Sequence, residues 1–504
     1  MKSNKQLKHL FIATVAGAQF AFPAFAAENA AAEIPAFAAD GGSATEAAEI
    51  KALKSQIDSL VKKVNALEQQ RGPAEQAATI QNLDQQVRIL QRQRELDQDA
   101  AVAKAATAPK LSLGQNGFSF SSADSNFVTQ IHGLVQADSR SFFNDGNING
   151  NDGFLLRRAR PIFTGTVFKS FGYNFTPDFG GSVVQIQDAY LNYRFAPELQ
   201  LQAGKFKSPV GLEQLQSDPV TAFNERSILT DLVPNRDLGI ALKGEVFDGA
   251  ASYTLGLFNG AQDYSGTTTN ISFQDDKTFA GRVFFQPWKN SSVNALRGFG
   301  FGFGGSYQAN HPATNAATGL TGGYTTDGQA KFFTFNSGVN ANGATWRISP
   351  QAYYYYGPFS LLGEYVADEQ RVTKGTKSAK LLNNAWEVTG GWVLTGEDAT
   401  YDGVTPLHPF DPRANQWGAL QIVGRAAQLN VDRNAFSGGF ASSAKSADTA
   451  TAWSVGLNWY LNKNIRANLS YSHTTFDGFT GKAAAGVIPA QAENVLFSRL
   501  QLSF

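Results

Sequence analysis

The chain has 504 residues, of which 12% are aromatic and 17% charged, with 49 glycines, one methionine and no cysteine. The formal net charge is zero, so nothing global points to nucleic acid, and the lack of cysteine rules out disulfides and thiolate metal sites. Such a length suits either several ordinary domains or one large barrel with an appendage.

The first 26 residues read as a signal peptide. Lys2, Lys5 and Lys8 form a positive n-region, an apolar stretch runs from Leu10 to Phe25, and Ala24-Phe25-Ala26 supplies a small-x-small cleavage pattern. The alternative is an N-terminal anchor, but the stretch falls short of the roughly 20 apolar residues that cross a bilayer as a helix. Residues 27–46 are rich in Ala, Gly and acidic side chains and read as a disordered spacer. Ile50, Leu53, Ile57, Leu60, Val64 and Leu67 then fall at alternating steps of three and four, a heptad seam. Gly72-Pro73 breaks it, and Ile80, Leu83, Val87 and Leu90 resume it. Residues 47–97 are therefore expected as a coiled-coil helical segment on the periplasmic side. The plainer reading is one amphipathic helix lying on the barrel. Residues 98–126, Ala- and Ser-rich, read as a linker.

From Phe127 to Phe504 the period drops to two. Trp453, Val455, Leu457, Trp459 and Leu461 alternate with Ser454, Gly456, Asn458, Tyr460 and Asn462. A tight Asn462-Lys463-Asn464 turn leads into Ile465, Ala467, Leu469 and Tyr471, which alternate with Arg466, Asn468, Ser470 and Ser472. Soluble sandwiches alternate too. Here the polar faces are rich in Gly, Asn, Gln, Ser and Arg, and the strands are long enough to cross a tilted bilayer. Short turns (Gly357-Pro358, Asn462–Asn464) also appear to one side of long polar loops. In hydrocarbon every backbone amide must be paired, which closed barrels and helices alone achieve. Tryptophans at 288, 346, 386, 392, 453 and 459 suit the interfacial girdles. The fold class expected is all-β: a transmembrane antiparallel β-barrel of about 16 strands over 127–504. Lys331–Phe335 is assigned to a loop, and the Gly-rich 319–328 stretch to a flexible one.

Four segments carry a family resemblance: FLLRRAR at 154–160, QDAYLNY at 187–193, GKFKSPVGLEQLQSDPVTAFNER at 204–226 and GALQIVGR at 418–425. In order and spacing they resemble the phosphate-selective porin O/P family, across essentially all of 127–504. The resemblance implies a homotrimer of barrels, each a separate pore with a constriction lined by arginines and a lysine. It places Arg157 and Arg158 at the paired constriction arginines, Arg226 on the inward-folded loop and Asp188 beside the site. It also makes the terminal Phe504 an outer-membrane assembly signal. Two departures stand out. Gln214 occupies the position of a lysine, and Ser217-Asp218 that of a serine pair, so a site for a phosphate dianion is weakened.

Strand parity alone puts Arg158, Arg160, Arg194, Lys243, Arg282, Arg347, Arg425, Arg466 and Arg499 on lumen faces. Asp138, Asp188, Glu245, Glu364 and Glu387 share those faces and are fewer. Arginine keeps its charge and presents a fork that matches oxyanions, and a ring of such charges selects anions. Barrel walls also hold Arg–carboxylate braces. About half of these arginines are assigned to bracing, and Arg157, Arg158, Arg160 and Arg226 to function. Lys205 and Lys207 sit at a strand-to-loop transition. His132 faces the lumen alone, and no Ser-His-acid set or His/carboxylate cluster has catalytic or metal-ligand spacing. The function expected is passive diffusion of small inorganic anions through an outer-membrane channel bathed in lipid, with no cofactor. A structural tether to the cell wall is the alternative, and an outer-membrane hydrolase the weakest reading.

Overall fold

The computed structural model describes residues 41–68, 73–143, 152–181, 184–260, 276–311, 323–480 and 492–504. The signal peptide and residues 27–40 of the expected spacer lie outside the described residues, and the spacer's last six residues, 41–46, open a helix instead of remaining disordered, continuous with the helix-forming run that follows. Two helices come first, α1 (Gly41–Glu68) and α2 (Pro73–Thr107). Ile57, Val61, Ile80, Val87 and Leu90 on them are exposed. The expected helical segment ends at 97, but α2 continues to Thr107 because the added turns are rich in alanine, the strongest helix former.

The linker expected over 98–126 is corrected a second time by a hairpin, β1 (Lys110–Gly114) and β2 (Gly117–Ser121). Its signal was present: Leu111 and Leu113 answer Phe118 and Phe120 around a Gln115-Asn116-Gly117 turn.

Sixteen strands then close a barrel. The first eight are β3 (Val128–Phe142), β4 (Gly153–Val167), β5 (Phe171–Asp178), β6 (Gln185–Ala196), β7 (Leu199–Lys207), β8 (Arg236–Val246), β9 (Ala251–Phe258) and β10 (Thr278–Phe285). After β11 (Phe299–His311), a small hairpin, β12 (Tyr324–Thr325) and β13 (Lys331–Phe333), stands apart from the wall, so 331–335 belongs to a loop. The wall resumes with β14 (Asn340–Tyr356), β15 (Phe359–Lys374) and β16 (Lys377–Val393). A second small hairpin, β17 (Ala399–Thr400) and β18 (Gly403–Val404), precedes β19 (Ala419–Asn430), β20 (Thr449–Tyr460), β21 (Ile465–Asp477) and β22 (Glu493–Ser503). Each wall strand pairs antiparallel with the next, and β22 closes on β3 from Ser503↔Leu134 to Val495↔Phe142.

Alternation holds along the wall because lipid tolerates only apolar side chains outside, while the lumen accepts polar ones. On β20, Trp453, Val455 and Leu457 are exposed outward, whereas Ser454 and Asn458 are buried inward. Hairpin β1–β2 extends the sheet where β22 runs out, pairing Phe118–Ser121 with Val128–Ile131 of β3. Phe504 exchanges backbone hydrogen bonds with Gly133 (2.9 and 3.0 Å), and its ring lies across that residue, where a Cβ would come within 2.6 Å of it. Glycine at 133 is what lets the terminal ring lie there.

One expectation about connections fails in an informative way. At the end of the barrel that holds Phe504, 168–170, 197–198 and 357–358 are tight, but 394–418 is long. It does not hang free. Tyr401 on it donates from Oη to the Leu212 carbonyl (2.7 Å), and Gln216 Nε2 donates to the Tyr401 carbonyl (2.7 Å). From the opposite end, 208–235 and 323–339 also turn inward. Ile228, Leu229 and Leu232 pack with Phe332 and Phe333 in one apolar cluster against the wall. The stretch 319–328 was expected as a flexible loop. Its residues 324–327 are instead buried, because Tyr324 joins that cluster and Asp327 meets Arg425. A barrel wide by strand count is thus narrowed by three inserted segments.

Candidate pore constriction

Arg157, Arg158 and Arg160 lie on β4, where alternation should send Arg157 away from the other two. A β-bulge resolves this. Gln136 pairs with Arg158 and Ala137 with Leu156, so Arg157 is the extra residue and turns inward as well. The chain after β5 closes over the bulge: Ala159 N donates to Asp178 Oδ1 (3.1 Å) and Gly181 N to the Leu156 carbonyl (3.1 Å). A Cβ at Gly180 would sit 2.7 Å from Arg158 Cα, so only glycine fits between them.

The arginines meet carboxylates carried mostly by the inward segment 208–235. Arg157 grips Glu225 with two hydrogen bonds (2.6 and 3.0 Å), and Arg140 adds a third (2.8 Å). Asp218 sits at the centre. Arg160 donates to it, Arg226 Nη1 donates to its Oδ1 (2.6 Å), and Arg158 Nε lies 3.4 Å from Oδ2. Burial by itself would push the Asp218 carboxyl up, but Arg158, Arg226, Arg160 and Lys207 together hold it well below the usual range. It is therefore a fixed anion at any working pH. Arg226 also donates to the Glu213 and Gln216 carbonyls (3.0 and 2.8 Å), so each of its three guanidinium nitrogens is bonded.

Asp188 is gripped by Arg236 through two bonds (3.0 and 3.1 Å). Gln214 is buried and donates to Asn235 Oδ1 (2.7 Å), whereas Ser217 is exposed. The remaining sequence candidates separate by what they touch. Arg282 donates to Gln351 (2.8 Å), which in turn donates to the Val210 carbonyl (2.8 Å), a brace for the inward segment. Arg347 pairs with Asp368 (3.1 Å), and Arg425 with Glu213 (3.3 Å) and Asp327 (2.7 Å). Arg499 pairs with Asp138. Bracing thus takes more of the wall arginines than half. Arg194 is exposed at the end of β6 nearer Phe504 and lines neither chamber described below.

Two cavities run past this network. One of about 510 Å³ faces the long loops and is lined by six arginines, 140, 157, 158, 160, 226 and 236. Its acidic members are Asp178, Asp218, Glu225 and Asp231. A second cavity of about 560 Å³ lies nearer the Phe504 end. Arg160, Asp218 and Arg236 line both and stand where the two cavities meet.

Residues 129–504 match the family described as phosphate-selective porin O and P. The chain belongs to that family. Porin O of Pseudomonas aeruginosa is 22% identical over 412 residues, covering 73% of this chain and 87% of that protein. Among solved structures, the outer membrane channel DcaP of Acinetobacter baumannii is similar at 11% identity and a TM-score of 0.49, covering 75% of this chain and 98% of that one. The anion-selective porin from Comamonas acidovorans is similar at 11% identity and a TM-score of 0.46, covering 75% and 100%. As a member of that family, the chain is an outer-membrane anion channel.

Reading the sequence missed several lining residues of the porin. Arg236 shares parity with the lipid-facing Leu238 and Ile240, and its register partner Lys207 follows the same rule. Both turn into the lumen because their strands end there and feed the inward segment. Arg140, Asp178 and Glu225 carried no signal beyond parity or a place beside a motif. Asp231 has a functional consequence. Burial lifts its carboxyl to about 8, against hydrogen bonds from Thr325 and with Asp327 adding to the lift. It is neutral at neutral pH and adds a negative charge to the upper chamber as pH rises through that value. Anion preference should therefore decline between about pH 7 and about pH 9, and Asp231→Asn should hold it level. Selectivity of the wild type that stays constant across this range, read from reversal potentials, would count against the assignment.

Proposed function

We propose that the porin passes small anions by passive diffusion, selected by the arginine excess at Arg157, Arg158, Arg160, Arg226 and Arg236. What supports this is the lining of the upper chamber, six arginines against four carboxyl groups, one of them neutral near pH 7. A low-dielectric wall focuses that surplus into the path. Asp218 and Glu225 already pair with Arg140, Arg157, Arg158, Arg160 and Arg226, and Gln214 brings no charge, so multivalent phosphate finds few unpaired guanidinium groups to bridge. The channel accordingly favours anions in general over phosphate in particular, and it carries out no reaction. Reconstituted in planar bilayers under a potassium chloride gradient, it should give a reversal potential of the sign set by chloride. The preference should fade near 1 M salt, where the Debye length is about 3 Å. A reversal potential set by potassium would overturn the reading.

The finer parts of the reading are these. Residues 1–26 direct export and are removed, three copies assemble through their barrels, and residues 47–107 extend into the periplasm as a coiled coil. Exposed Ile57, Val61, Ile80, Val87 and Leu90 favour this last point, since a second copy would cover them. A peptide of residues 27–107 should sediment as an oligomer, and Ile57→Asp with Val87→Asp should render it monomeric. A monomer before any substitution would leave only a lone helix.

A further inference from the structure

The two chambers differ in chemistry, and the difference bears on what the pore prefers. The lower chamber carries Arg160, Lys207, Arg236 and Lys243 against Asp188 and Asp218. Arg160 and Arg236 are held by Asp178, Asp218 and Asp188. The two lysines are not held in this way. Lys207 Nζ donates to the Gln216 and Leu215 carbonyls (2.8 and 3.4 Å), and an ammonium has a third donor. Lys243 Nζ donates to Gln202 and makes no ion pair among the described residues. Lys207 also acts on the Asp218 carboxylate, so Lys243 is the cationic donor least committed in the lower chamber, where the arginines are already paired.

The rest of that wall mixes polar Asn174, Thr176, Gln202 and Ser217 with a larger run of apolar side chains. Leu134, Ile162, Tyr190, Phe206, Leu215 and Pro219 line it. Phe206 is held between Tyr190 (centroids 6.0 Å apart) and Phe258 (5.3 Å), so the surface is rigid. A hydrated inorganic ion gains nothing from the apolar side chains of this wall. An anion with one charged head and a flat or aliphatic body gains on both sides: its head meets Lys243 and its body removes apolar surface from water.

We propose that the lower chamber is a binding site for amphipathic organic monoanions, carboxylates with an apolar body, and that the porin prefers these to inorganic phosphate. The inference rests on the anion-channel reading above. The upper chamber collects anions of any kind, and the lower one discriminates by their apolar part.

The test uses full-length porin in planar bilayers, with chloride current blocked by potassium benzoate, potassium acetate or potassium phosphate. Benzoate should block at a concentration about tenfold lower than acetate, the effect of burying one ring face, and phosphate should be the weakest blocker. Ile162→Asn with Leu215→Asn should bring the benzoate-to-acetate ratio close to one. Lys243→Gln should weaken block by benzoate and acetate alike and leave their ratio unchanged. Equal block by benzoate and acetate in the wild type would overturn the proposal without any variant. So would a ratio that survives the apolar-to-Asn changes, or block indifferent to Lys243→Gln. A potassium-set reversal potential in the same bilayers would instead overturn the channel reading itself, so the two failures are told apart.

Discussion

Phosphate should block chloride current through the wild type only weakly, and Asp218→Ser combined with Gln214→Lys should strengthen that block by an order of magnitude or more. Asp218 is a carboxylate held by Arg158, Arg160 and Arg226, the place where an oxyanion would otherwise sit. Removing it leaves Arg158 and Arg226 without their shared counter-charge, and Arg160 with Asp178 alone. A bound phosphate then supplies the missing charge and accepts forked hydrogen bonds about twice as strong as neutral ones. Gln214 lines the same upper chamber, so a lysine there adds a fourth cation within reach. The single Asp218→Ser change should also make the unliganded pore less stable, because a buried cation that loses its partner is costly. Added phosphate should restore that stability, since a ligand bound only by the folded form stabilises it. Thermal unfolding with and without phosphate reads this directly. Wild-type pores blocked by micromolar phosphate, or a double variant no more sensitive than the wild type, would refute the role given to Asp218.

Asp138→Asn should lower the stability of the barrel by about 3–5 kcal/mol. Arg499 and Asp138 pair in register across the seam where β22 meets β3, and both side chains are 0% exposed. Two hydrogen bonds of 2.6 Å join them, while Arg499 Nη1 has no partner in reach. Replacing the carboxylate leaves the guanidinium buried with neither charge nor full bonding. The location magnifies the effect, because opening the seam where β22 meets β3 exposes two strand edges to lipid. Asp138→Leu with Arg499→Met should recover most of the loss, since a buried ion pair can give way to apolar side chains of similar size. Urea unfolding from lipid vesicles measures all three proteins. An Asp138→Asn midpoint equal to that of the wild type would show that the pair contributes nothing to closure.

The wall of this porin was legible in the chain because lipid enforces one rule on every strand. Side chains such as Trp453, Val455 and Leu457 must face hydrocarbon and their neighbours water, and a shift of one residue would exchange the faces. Sixteen strands, their antiparallel order and the inward positions of Arg158, Arg160 and Lys243 follow from that periodicity. Segments outside the wall obey no such rule. Polar composition alone made 98–126 read as a linker, although Leu111, Leu113, Phe118 and Phe120 alternate within it as a hairpin.

The candidate site was only half legible. Arg157 turns inward through a bulge that depends on where Gln136 pairs across the sheet, which no local pattern records. Arg236 and Lys207 enter the lumen because strands β7 and β8 end at the segment they feed. That Asp218 meets three arginines, that Glu225 holds Arg157, and that 394–418 supports 208–235 from the other end are long-range facts. The sequence by itself determined a barrel, its strand count and an arginine-rich lumen, because periodicity against lipid is a local property of each strand. The tertiary structure alone decided which arginines remain free to meet a solute, because a guanidinium is free or paired according to the carboxylates that distant segments bring to it.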